Sequence, residues 1–114
     1  MKVLVTGGTG VIGEGVIESL LKRDQDVRLI SRHAEHDVRA WPDHVEAFDG
    51  DVSEAQTLTG RADGCDAVVH IAGIVSEEPP EITFERVNVG GTANILREAE
   101  RAGVKRFIYV SSLG

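Results

Sequence analysis

The segment TGGTGVIG, Thr6 to Gly13, constrains this chain more than any other stretch. It follows a β-branched run, Lys2–Thr6, and opens residues 11–23, where Ile12, Val16, Ile17, Leu20 and Leu21 recur at helical spacing. Two glycine frames overlap in it. Gly8, Gly10 and Gly13 spell G-x-G-x-x-G, while Gly7, Gly10 and Gly13 spell G-x-x-G-x-x-G after Thr6. In either frame the missing Cβ atoms let another group approach the backbone closely. The first turn of the helix aims unpaired N–H donors at that group, and Gly13 lets helix and strand pack tightly. A glycine pattern alone is a weak signal; between a strand and a helix it is a strong one, pointing to a bound pyrophosphate. A tight turn that binds nothing is the competing reading.

The rest of the chain alternates in the same way. Residues 27–31, 45–48, 66–72 and 106–111 read as four further strands. Residues 33–42 form a polar connection with a helical turn, stopped at Trp41-Pro42. Residues 51–62 read as a helix with Ser53 and Gln56 at capping-box spacing. Residues 82–102 read as a long helix whose inner stripe is Phe84, Val87, Gly91, Ile95, Ala99 and Ala102, stopped by Gly103. Strands apolar on both faces require a parallel sheet covered on two sides. Right-handed crossovers then predict an α/β doubly wound parallel sheet of order 3-2-1-4-5, in one domain over residues 1–114.

Charge narrows the partners. The net charge is −7 with no Lys/Arg block, so neither nucleic acid nor an anionic membrane is an expected partner. Backbone N–H groups can still hold an anionic cofactor. Met1-Lys2 leads directly into VLV, too short for a signal-peptide core, and no apolar run approaches a bilayer span; a cytoplasmic location is expected. The lone Cys65 excludes an intrachain disulfide and reads as a small buried filler. His33 and His36 lack a third ligand, so no metal is expected. His70, inside an apolar strand, reads as a satisfied core or cofactor-side histidine.

The end of the second strand bears on the cofactor. A dinucleotide fold ordinarily places an acid there to bind the ribose hydroxyls. Here the strand ends in Ser31-Arg32-His33, and Asp24 and Asp26 fall before it, at the wrong end. Arg32 suits a 2′-phosphate, which favours NADP over NAD. A solvated surface arginine is the competing reading.

Taken together, TGGTGVIG, GDVSE (50–54), HIAG (70–73), NVGGTANIL (88–96) and FIYVSSLG (107–114) resemble, in order and spacing, the extended short-chain dehydrogenase/reductases, including their epimerase/dehydratase and NmrA-like branches. The resemblance covers the whole chain. It implies a Rossmann fold and the frame Gly7, Gly10, Gly13. It also implies cofactor contacts at Thr9, Val11, Ile12, Ser31 and Arg32, at Asp51 and Val52 beside the adenine, and at Ile71, Ala72, Gly73, Asn88 and Ser111. Ser112 matches the family's active-site serine.

The family's hydride chemistry, as the resemblance implies, also uses a Tyr-x-x-x-Lys pair after the fifth strand. A phenol needs a neighbouring cation to act near neutrality. This sequence departs from that pattern. Tyr109, the lone tyrosine, lies within the fifth strand as an expected core or interface residue, and position 113 is Leu113. The chain therefore reads as the N-terminal cofactor-binding part of a longer oxidoreductase or epimerase/dehydratase acting on a carbonyl or hydroxyl substrate, truncated after strand five and inactive by itself. The alternative is a non-catalytic NADP-binding redox sensor or assembly scaffold of NmrA-like type. The helix at 82–102 is the candidate surface for a homo-oligomer.

Overall fold

The computed structural model describes residues 1–7, 11–41, 43–71 and 89–110. Five strands form one sheet: β1 (Lys2–Thr6), β2 (Asp26–Ser31), β3 (Val45–Asp49), β4 (Ala67–His70) and β5 (Arg106–Tyr109). Their order is β3-β2-β1-β4-β5, and every pair is parallel. Helix α1 (Val11–Lys22) connects β1 to β2, α2 (Ala34–Asp37) lies between β2 and β3, and α3 (Gly91–Arg101) precedes β5. This is the α/β Rossmann-type architecture that the alternating pattern predicts.

The period-two alternation of the central strands builds two cores. Val3, Val5, Val27, Leu29 and Val69 face Ile17 of α1 and Trp41. Leu4, Ile30 and Val68 face the other way, against Leu58, Ala62, Cys65, Ile95 and Ala99. Leu4, Ile17, Leu29, Leu58 and Ile95 are fully buried, each contributing on the order of 1.5–3 kcal/mol. Cys65 is a buried free thiol whose pKa burial pushes up, so it fills space and is poorly suited to nucleophilic chemistry.

Several elements differ from their sequence reading. Residues 51–62 contain a three-residue 3-10 helix, Ala55–Thr57, flanked by turns, in place of a long helix. Side chains divert the backbone there. Asp51 Oδ1 accepts both the N–H and the hydroxyl of Ser53, and Asp51 N–H donates to Thr57 Oγ1. These local bonds compete with a helical ladder, and the Ser53–Gln56 capping box does not form; Glu54 takes the cap position with no side-chain capping bond, and its Oε2 accepts from Gln56 Nε2 at 3.2 Å. Asp26 begins β2 instead of preceding it, still at the end opposite Ser31. Of the core or interface position expected for Tyr109, the core half does not hold: among the described residues β5 pairs with β4 alone, and Ile108 and Tyr109 are about half exposed. Of the long helix expected over 82–102, residues 82–88, with Phe84, lie outside the described residues, as does Val87. Gly90 already has helical dihedrals, and Gly91, Ile95 and Ala99 face the core as expected.

Two buried charges went unread in the sequence. Arg28, in the middle of β2, donates from Nε to Glu46 (2.5 Å) and from Nη1 to the carbonyls of Arg61 (2.7 Å) and Asp63 (2.9 Å). Glu98 of α3 accepts the Ala62 N–H at 2.9 Å and pairs with Arg101. Both fasten the 51–66 connection to the sheet and to α3. Among the described residues no helix is long and apolar enough to cross a membrane.

Candidate functional site

The strand order reverses around β1, which has β2 on one side and β4 on the other. In an open parallel sheet, ligands bind outside the carboxyl ends of the strands at such a switch point. Thr6 ends β1 and is in register with His70, the last residue of β4. Ile71 N–H continues the ladder to Thr6 O at 2.9 Å, so Gly7 and Ile71 leave the sheet side by side. Gly7 has φ of 76°, a left-handed conformation that side chains resist, and so turns the chain sharply off β1.

From that turn α1 begins at Val11. Gly13 is buried within its first turn, while Ile12 beside it is 54% exposed, an apolar side chain uncovered next to the glycine loop. The first-turn N–H groups of a helix have no partners within it and favour an anion. The donors and the absent Cβ at Gly7 fit a pyrophosphate. Thr9 and Gly10 lie outside the described residues, as do Ala72, Gly73, Asn88, Ser111 and Ser112.

The floor of the crevice is a buried polar relay. His70 is fully buried, with Nδ1 2.6 Å from the Thr6 hydroxyl and Nε2 3.1 Å from that of Thr92. Burial lowers its pKa to about 4, so the imidazole is neutral near pH 7. Its ring stacks on Tyr109 at 5.5 Å between centroids. His70 thus has the satisfied partners expected of it, and it ties the residue before Gly7 to α3. Thr6 and Thr92 were not singled out in the sequence.

The other end of the crevice is formed by β2 and β3. Ser31 closes β2, and its hydroxyl accepts the His33 N–H at 3.2 Å. Arg32 is exposed, and no carboxylate pairs with it among the described residues. Asp51 and Val52 follow β3. The Val52 carbonyl accepts a bond from Asn94 Nδ2 at 2.8 Å. Gly91 approaches the same segment so closely that a Cβ there would stand 2.7 Å from Val52 Cγ2. Asn94 and Asp49 are further residues that sequence reading missed. Strand register would have revealed Asp49, since it is the Cα partner of Ser31. No group of three or more potential metal ligands occurs among the described residues.

This is the site of a dinucleotide-binding α/β protein: a glycine turn and a helix start at the switch point of a parallel sheet. The chain belongs to the NAD dependent epimerase/dehydratase family, whose pattern it matches over residues 3–114. It is 40% identical to a 3 beta-hydroxysteroid dehydrogenase/Delta 5-->4-isomerase of Mycobacterium tuberculosis, over 97% of this chain and 31% of that protein. It is 33% identical to 3 beta-hydroxysteroid dehydrogenase type 7 of Mus musculus, over 96% and 32% respectively. The NAD complex of a Y136A uronate dehydrogenase from Agrobacterium tumefaciens superposes with a TM-score of 0.80 at 28% identity, covering 97% of this chain and 40% of that one. The chain spans about a third of the length of the curated relatives it matches.

Proposed function

We propose that the chain is the N-terminal, cofactor-binding part of a longer short-chain oxidoreductase or epimerase/dehydratase that prefers NADP to NAD. One observation carries the cofactor preference: β2 ends in Ser31, followed by an exposed Arg32 that no carboxylate pairs with among the described residues, and no carboxylate stands at that end of the strand. A guanidinium there donates a forked pair of charge-assisted bonds to a 2′-phosphate. Gly7, Thr9, Gly10, Val11, Ile12 and Gly13 would hold the pyrophosphate, Asp51 and Val52 the adenine. Ile71, Ala72, Gly73, Asn88 and Ser111 would line the nicotinamide side. When bound, the nicotinamide supplies or accepts hydride; Ser112 would orient the substrate oxygen. The substrate is a small carbonyl or hydroxyl compound.

A second reading, a non-catalytic NADP-binding sensor or scaffold, is favoured by the half-exposed Tyr109 in β5 with Leu113 in place of a lysine. Both readings share the cofactor test. Side-by-side titrations with NADPH and NADH should show NADPH binding more tightly by roughly tenfold, with Arg32→Ala losing NADPH affinity and leaving NADH nearly unchanged. Equal affinities, or a variant that loses both cofactors alike, would mean that Arg32 faces solvent only.

A further inference from the structure

We propose that Asp49, on β3, is a specificity-determining residue for the cofactor's 2′ position, acting against Arg32. The proposal rests on the dinucleotide reading above. Asp49 is the last residue of β3 and the Cα partner of Ser31. The pairing continues one step further, where Gly50 N–H donates to Ser31 O at 3.0 Å. The Asp49 carboxylate reaches across the β2–α2 turn, and its Oδ1 accepts the Ala34 N–H at 3.2 Å. It is held on its backbone side as well, since Arg61 Nη2 donates to its carbonyl at 3.4 Å. The side chain is exposed, and no cation pairs with its carboxylate among the described residues.

The consequence is electrostatic. Adjacent strands lie about 4.8 Å apart, so an anion seated on Ser31 and Arg32 stands within about 5–8 Å of this carboxylate. A 2′-phosphate carries close to two negative charges and is repelled; a ribose hydroxyl carries none and is not. The carboxylate that the end of β2 lacks is thus supplied from the neighbouring strand. Arg32 attracts the 2′-phosphate and Asp49 opposes it, so the selectivity of the site is the difference between the two.

Asp49→Asn removes the charge and keeps an oxygen to accept the Ala34 N–H. Titrated with NADPH and NADH, the full chain carrying this change should gain roughly three- to tenfold in NADPH affinity at low salt. NADH affinity should stay within about twofold. The NADPH gain should shrink at about 0.5 M salt, because the repulsion it relieves lies at the surface. The double variant with Arg32→Ala should bind NADPH more tightly than Arg32→Ala alone. Thermal unfolding checks that each variant folds; Asp49→Ser, also neutral with a short acceptor, reads the same ratio if the amide perturbs the turn. An NADPH-to-NADH ratio unchanged in a folded neutral variant would overturn the proposal, and so would an equal gain for both cofactors. Wild-type chain that binds neither cofactor would overturn the dinucleotide reading itself, and this inference with it.

Discussion

His70 is poised to lose its protein partners on acidification. A neutral imidazole has one N–H and one lone pair, so of the Thr6 and Thr92 hydroxyls one accepts from the ring and the other donates to it. A protonated ring would present two donors and a charge in a site with no exposure. Burial therefore lowers the folded pKa to about 4, against about 6.5 in the unfolded chain. Between those values the unfolded state binds the extra proton. Stability is fully present above pH ~6.5 and is lost as pH falls toward 4, a swing on the order of 3 kcal/mol. Denaturant unfolding at a series of pH values should show this slope, and His70→Phe should flatten it while lowering stability at pH 7. A variant that keeps the wild-type slope between pH 6.5 and 4 would assign the effect to another group. Because Thr6 immediately precedes Gly7, the same protonation should weaken dinucleotide binding before the fold is lost.

At the scale of elements, α3 acts as the clamp on the 51–63 connection. Gly91, Asn94, Glu98 and Arg101 are spaced three or four apart and so share a face. They meet, in order, Val52, the Val52 carbonyl, the Ala62 N–H and Asp63. Burial alone would raise the Glu98 pKa, but the Arg101 hydrogen bond, the Ala62 N–H, the Arg101 charge and the Gly60 N–H together hold it below the usual carboxylate range. Its contribution is present above the unfolded carboxylate pKa and is lost as pH falls through the lowered folded value. Glu98→Ala strands the Ala62 N–H and should cost about 2–3 kcal/mol in urea unfolding; Glu98→Gln keeps an acceptor and should cost less. Equal losses for the two would mean that charge alone matters there. Gly91→Ala places a Cβ against Val52 and should weaken dinucleotide binding more than it lowers stability, with the strain costing roughly 1–3 kcal/mol. The apolar half of this clamp was legible in the sequence: Gly91, Ile95, Ala99 and Ala102 stood out as an inner stripe. The polar half was not, because periodicity gives no partner to a charge such as Glu98 or Arg28. Only the tertiary placement of Ala62, Arg61 and Asp63 gives them partners. The strand alternation and sheet order were legible because both follow from hydrophobic period and crossover handedness. The tight turns at 51–57 were not, because Asp51, Ser53 and Thr57 suit a helix cap and a helix-competing side-chain network equally well. At the candidate site, Gly7 and Ser31 could be placed from one strand at a time, whereas Asp49 needed the register between two.

At the scale of the whole molecule, the position of Tyr109 bears on the proposed chemistry. In the family's pattern, as its resemblance implies, the phenol that exchanges the proton lies on a helix beyond the fifth strand, with a lysine four residues on. Here Tyr109 lies in β5 itself, in register with His70, and its ring lies against the imidazole. The neutral histidine brings no positive charge to the phenol, and the residue four positions on is Leu113. A general acid near neutral pH needs a cation to stabilise its phenolate, and a proton donor within hydrogen-bond reach of the substrate oxygen. In β5 the phenol has a neutral imidazole beside it and no lysine four residues on. The 114-residue chain should therefore bind dinucleotide and give no turnover with a carbonyl substrate, whether supplied with NADPH or NADH. The measurement is cofactor oxidation followed against a panel of ketones, on protein shown by titration to be saturated with cofactor. Tyr109→Phe should leave cofactor affinity within about twofold, as expected for a half-exposed side chain outside the proposed cofactor contacts. Sustained hydride transfer by the purified chain, abolished by Tyr109→Phe, would place the proton donor in β5 and reverse this assignment.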